Sequence, residues 1–151
     1  MPVTREDLVT LCQPVVACIA ARGTAEPAAL EAALSALDTT QLEAAALAAL
    51  ADGWLTPKEG GGVRFGRIAR ADGDAQPCSI DAVDMAGPAS GAHTHPAGEV
   101  ELCVPLSGEP RFDGRRDRFV VYGPGSRHVP TVSGGRMLIL YFLPGGAIVF
   151  E

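Results

Sequence analysis

The chain has 151 residues, 47% of them apolar, and a formal net charge of −6. That length and apolar content allow one domain with a real core, or a core plus an appendage. The acidic balance argues against nucleic acid or an anionic membrane as a main partner. The apolar stretches fall well short of a membrane span, and the N-terminal residues do not read as a charged-then-apolar leader, so a cytoplasmic protein is expected. Cys12, Cys18, Cys78 and Cys103 show no C-x-x-C spacing, which suits free thiols in a reducing compartment.

In chain order, residues 1–56 form an Ala- and Leu-rich helical segment. Thr4 with Asp7 makes a capping box, and Leu8, Leu11, Val15 and Ile19 form an apolar stripe that ends at Gly23. A second helix is expected from about Glu26 to Leu37, and a third from Thr40 as cap, with Glu43 three residues on, to Gly53. Three short helices invite a helix-turn-helix reading, but two arginines against seven acids make a surface that repels phosphates. The segment is therefore expected to cover the rest of the molecule or to build a homodimer contact.

Pro57 and Gly60-Gly61-Gly62 read as a linker. Residues 57–151 then break into short β-rich runs, at roughly 63–69, 78–85, 91–95, 99–106, 109–112, 118–122, 127–132, 136–143 and 147–151. Many short strands with regular turn signals suggest a β-sandwich or barrel.

All three histidines lie in these runs. His93 and His95 are two apart, so an extended strand places both imidazoles on one face. His128 follows in Gly125-Ser-Arg-His128. Glu99 and Glu101 likewise share a face, and two acids on an otherwise apolar strand are costly to bury without a cation. Three imidazoles and a carboxylate suit one divalent ion: Zn²⁺, Fe²⁺, Mn²⁺ or Ni²⁺. His93, His95, His128 and Glu99 are the expected ligands, with Glu101 as proton carrier and the reverse assignment of the two acids left open. Tyr141 is a candidate phenol donor, and Arg64, Arg67, Arg111 or Arg127 a candidate clamp for a substrate carboxylate.

The run Gly87, five residues, His93-Thr-His95, three residues, Glu99 resembles the first motif of the cupin superfamily. Gly125-Ser-Arg-His128 is similar to the core of its second motif. The resemblance implies a single cupin jelly-roll barrel behind a short N-terminal helical segment, mainly β and α+β overall. More closely, His93–Leu102, Arg111–Gly114, Val121–Val132 and Leu140–Pro144 resemble the small bacterial 4-hydroxylaminobenzoate lyases. That likeness implies a metal-dependent lyase in aromatic breakdown, turning 4-hydroxylaminobenzoate and water into 3,4-dihydroxybenzoate and ammonia. An iron-dependent dioxygenase acting on a small aromatic or thiol, and a non-catalytic metal or ligand sensor, are the other classes that such a site permits.

Overall fold

The computed structural model describes residues 2–89 and 91–151. Among these residues three helices come first: α1 (Arg5–Arg22), α2 (Pro27–Ser35) and α3 (Thr40–Ala51). The α1 capping box forms as expected. The Asp7 amide donates to Thr4 Oγ1 at 3.1 Å, and the Thr4 amide donates to Asp7 Oδ2 at 2.9 Å. Pro14 lies inside α1 and removes one helical hydrogen bond. The helix continues because Leu8, Val9, Cys12, Val15, Val16 and Ile19 bury one continuous face. One expectation needs correction: the N-cap of α3 is Thr39, not Thr40. Thr39 is buried, and its hydroxyl donates to the Glu43 carboxylate at 2.6 Å instead of capping a backbone amide.

Among the described residues nine strands follow: β1 (Lys58–Gly60), β2 (Val63–Ala69), β3 (Cys78–Met85), β4 (His93–His95), β5 (Glu99–Phe112), β6 (Phe119–Tyr122), β7 (Ser126–His128), β8 (Val132–Pro144) and β9 (Val149–Phe150). They form a six-stranded sheet, β1-β2-β3-β8-β5-β6, and a three-stranded sheet, β7-β4-β9, antiparallel throughout. The fold is mainly β, with the helical segment ahead of the two antiparallel sheets. β1 occupies part of the stretch expected as linker, because Lys58 to Gly60 pair with Phe65 to Val63 across a glycine turn.

The two runs expected at 99–106 and 109–112 are one strand. The backbone passes Pro105 and Gly108 through irregularities in register rather than a turn, and pairing with β8 continues to Phe112. Close approach makes this possible. A Cβ on Gly108 would lie 2.6 Å from the Gly134 carbonyl oxygen, and one on Gly135 would lie 2.1 Å from that of Ser107.

The large sheet is covered on both faces, which explains why its central strands read as apolar runs rather than alternating ones. On the outer face Ile80, Val100, Leu102, Leu140 and Phe142 share a core with the helices. On the inner face Met85, Cys103, Ile139 and Tyr141 pack with Phe112, Val120 and Val132. Helix α2 also guards the edge strand β6. Glu31 accepts from the Val121 amide at 2.8 Å and from both terminal nitrogens of Arg115 at 2.8 and 2.9 Å. All four cysteines are free thiols. Among the described residues no helix is long and apolar enough to cross a membrane.

Candidate metal centre and pocket

The site lies on the seam between the sheets. His95 and His128 come from the small sheet, on β4 and β7, and Glu99 opens β5 of the large one. A tight turn makes the crossing, with the Gly98 amide donating to the His95 carbonyl at 3.1 Å. Gly98 has φ +81°, and a Cβ there would meet the Thr24 hydroxyl at 2.2 Å and the Tyr122 carbonyl oxygen at 2.7 Å. Thr24, between α1 and α2, ties the turn down by donating to the Ala97 carbonyl at 2.7 Å. The turn therefore places Glu99 over His95.

His95 Nε2, His128 Nε2 and Glu99 Oε2 converge. The two nitrogens approach to 3.0 Å, Glu99 lies 3.1 Å from His128, and it is also in direct contact with His95. His95 and Glu99 are fully buried. Ligand atoms bonded at about 2.0–2.1 Å to a first-row ion stand about 3 Å apart, so this spacing fits a divalent cation. His95 Nδ1, buried and without a hydrogen-bond partner among the described residues, leaves its ring orientation to be set from the Nε2 side. The group can hold a metal ion.

The electrostatics favour a cation too. Burial raises the Glu99 carboxyl, but hydrogen bonds to His128 and His95 outweigh it and push the group down to about 2. Burial lowers His128, yet its contacts with Asp113 and Glu99 push it up to about 9. Glu101 goes the other way. It is fully buried and raised well above the usual range, first by burial and then by the Glu99 charge beside it.

His93, expected as a fourth ligand, stands outside the three-residue cluster. Its ring centroid lies 6.1 Å from that of His95 and 4.7 Å from that of Phe150, edge-on in both cases. His93 and Glu99 instead line one end of a cavity of about 680 Å³ between the sheets. Tyr141 lines the same cavity, beside its cross-strand partner Glu101. Burial and the neighbouring acids hold the Tyr141 phenol well above its usual range, so it keeps its proton.

Three of the expected arginines, Arg64, Arg111 and Arg127, lie elsewhere, and the fourth, Arg67, lines the cavity. Arg64 turns to solvent beside Glu59, and Arg127 pairs with Glu151 at 2.7 Å on the far face of β7, opposite to His128. Arg111 is exposed and, among the described residues, reaches only the Gly114 carbonyl, at a long 3.4 Å. The cations that line the cavity are Lys58 and Arg67. Three positions apart, Arg64 and Arg67 fall on opposite faces of β2, and the sequence does not say which face is the inner one.

Asp113 was not among the expected site residues. Its carboxylate accepts from His128 Nδ1 at 2.7 Å, from the Thr131 amide at 2.9 Å and from the Tyr122 hydroxyl. Its own signal was modest: an Asp-Gly pair after a buried Phe, with Asp113 itself at φ +49°. The carboxylate holds the proton of His128 on Nδ1 and leaves Nε2 to face the cluster.

Residues 27–150 match the model of a protein family described as PnbB, 4-hydroxylaminobenzoate lyase. A protein named 4-hydroxylaminobenzoate lyase from Nocardioides sp. (strain LMS-CY) is 34% identical over 113 residues, covering 66% of this chain and 64% of that one. One of the same name from Pseudomonas putida is 32% identical over 63 residues, covering 39% and 36%. The match thus spans less than two thirds of either relative. A cupin-like protein from Thermotoga maritima aligns in structure with a TM-score of 0.36 at 13% identity, covering 61% of this chain and 77% of that one.

Proposed function

This chain belongs to the 4-hydroxylaminobenzoate lyase family, and from that premise we propose that it converts 4-hydroxylaminobenzoate and water to 3,4-dihydroxybenzoate and ammonia. The observation that carries the reading is the convergence of His95, Glu99 and His128 beside an apolar cavity large enough for a benzene ring. We read one divalent ion, Zn²⁺, Fe²⁺, Mn²⁺ or Ni²⁺, as the resident cofactor, with His93 as the fourth donor. When bound, such an ion supplies Lewis acidity toward an oxygen substituent.

The reaction balances without an external oxidant. The N–O bond breaks and its oxygen leaves as water, which withdraws two electrons from the ring. Water then adds at the adjacent ring carbon, and a second water displaces the nitrogen as ammonia, so one water is consumed net. Val63, Val83 and Leu143 supply apolar walls for the ring. Glu101, held in its acid form, donates a proton to the departing oxygen and recovers one from the attacking water. The Tyr141 phenol donates a hydrogen bond into the same space. A small aromatic acid is then the partner, with neither nucleic acid nor a membrane involved, and the protein works in the cytoplasm as a homodimer.

The test is strictly anaerobic incubation of metal-analysed protein with 4-hydroxylaminobenzoate. Ammonia and 3,4-dihydroxybenzoate should appear in equal amounts. Turnover that requires O₂ would transfer the case to a dioxygenase, and binding without turnover to a sensor.

A further inference from the structure

The inner face of the large sheet carries a polar row. Register pairs Glu101 with Tyr141, Tyr141 with Asp81, and Asp81 with Arg67, across β5, β8, β3 and β2. The row starts beside the His–Glu cluster and runs out toward the mouth of the cavity, whose lining includes Glu99, Tyr141, Asp81 and Arg67. Three strand spacings of about 4.8 Å put the Arg67 backbone about 14 Å from β5.

The Arg67 guanidinium leans back over β3. Its Nε donates to Asp81 Oδ1 at 2.8 Å and its Nη2 to Asp81 Oδ2 at 3.3 Å. Asp81 thus takes one edge of the fork, and Nη1 has no acceptor among the described residues. The Nη1–Nη2 edge stays open, and that edge binds a carboxylate through two parallel bonds. Set over β3, the guanidinium is about two strand spacings, roughly 10 Å, from the acid strand. With bonds of about 1.4–1.5 Å, a para-substituted benzoate spans roughly 6–7 Å between its two substituent atoms. A hydrogen bond of about 3 Å at the cationic end closes the gap.

Charge agrees with distance. Lys58 and Arg67 outnumber Asp81 at this outer end, so it carries one net positive charge. Phe65 and Val83 stand on the neighbouring row of the same face and give the ring an apolar bed between the two ends.

We propose that Arg67, oriented by Asp81, holds the carboxylate of the aromatic acid and sets the specificity of the pocket for para-substituted benzoates. This rests on the lyase reading above and names the residue that recognises its substrate class.

The experiment compares binding of 3,4-dihydroxybenzoate and of catechol, which lacks the carboxylate, to the metal-analysed wild-type protein, Arg67→Gln and Arg67→Lys. The wild type should prefer the acid. Arg67→Gln should lose roughly ten- to hundredfold in affinity for the acid and leave catechol unchanged, with Arg67→Lys in between. With 4-hydroxylaminobenzoate, the loss should fall mainly on KM. If Arg67→Gln keeps the wild-type preference, or weakens both ligands equally, Arg67 is not the recognition residue and the lyase reading stands. If the wild type itself does not distinguish the acid from catechol, the aromatic-acid reading fails with it.

Discussion

Asp113 decides which nitrogen of His128 faces the cluster. A carboxylate on Nδ1 fixes the tautomer and makes Nε2 the better donor, and loss of such a partner typically costs about 10–100-fold in metal affinity. Asp113→Asn is the clean probe, since Asn tolerates the φ of +49° that most residues resist. Its expected effect is a fall of that size in Zn²⁺ or Ni²⁺ affinity, measured by competition with a chromophoric chelator, with the melting curve little changed. Affinity within twofold of wild type would mean that Phe112 and Tyr122, whose rings flank His128 at 6.1 and 4.3 Å, already orient it. At this scale the sequence shows residue types but not partners. The distance from Asp113 to His128 is fifteen positions, and nothing local to either says that they meet.

Among the elements, Glu31 is the carboxylate that ties α2 to the sheet edge. Glu31 accepts from Arg115 and from the Val121 amide, and these bonds, the Arg115 one foremost, hold it below its ordinary range against the opposing effect of burial. A carboxyl depressed in the folded state stabilises it above the unfolded value of about 4.3, and that contribution disappears as pH falls through the lower folded value. Glu31→Gln should therefore cost about 1–2 kcal/mol at pH 7, given that the Arg115 end is partly exposed and screened. The difference from wild type should shrink as pH drops below about 4, followed by urea unfolding at several pH values. A difference constant from pH 7 to 3 would assign the effect to packing instead of charge. Elements were legible where their cause was local: the Thr4–Asp7 box, the stripe through Ile19, and the β2 and β3 runs. They were misread where the cause was a neighbour. Gly108 signals a turn in isolation, but Gly134 and Gly135 on β8 let the strand run through it.

For the whole molecule, the helical segment and the large sheet share one core, since Leu8, Val15, Leu30 and Leu34 are buried with Ile80, Leu102 and Phe142. Short helices are marginal alone in water, and the outer face of the sheet is apolar without them. Removing residues 1–56 should leave a chain that aggregates or loses its cooperative melt, as judged by light scattering and circular dichroism. A truncated chain that stays soluble, melts cooperatively and retains its mass would show that the sheet needs no such cover.

The sequence by itself determined most of the elements, the mainly β architecture and the family, because capping boxes, strand alternation and the H-x-H and G-x-x-H runs are local patterns. It also narrowed the metal-site candidates to three histidines and two acids. Glu99 and Glu101 share a strand face, so periodicity treats them alike. The turn at Gly98 and the register of β5 against β8 separate them, setting Glu99 against the histidines and Glu101 beside Tyr141. For the arginines, alternation sets Arg64 and Arg67 on opposite faces without saying which is inner, and the pairing of β2 with β3 turns Arg67 and Asp81 into the cavity. Contacts across a sheet depend on register between distant segments, which only the folded structure decides.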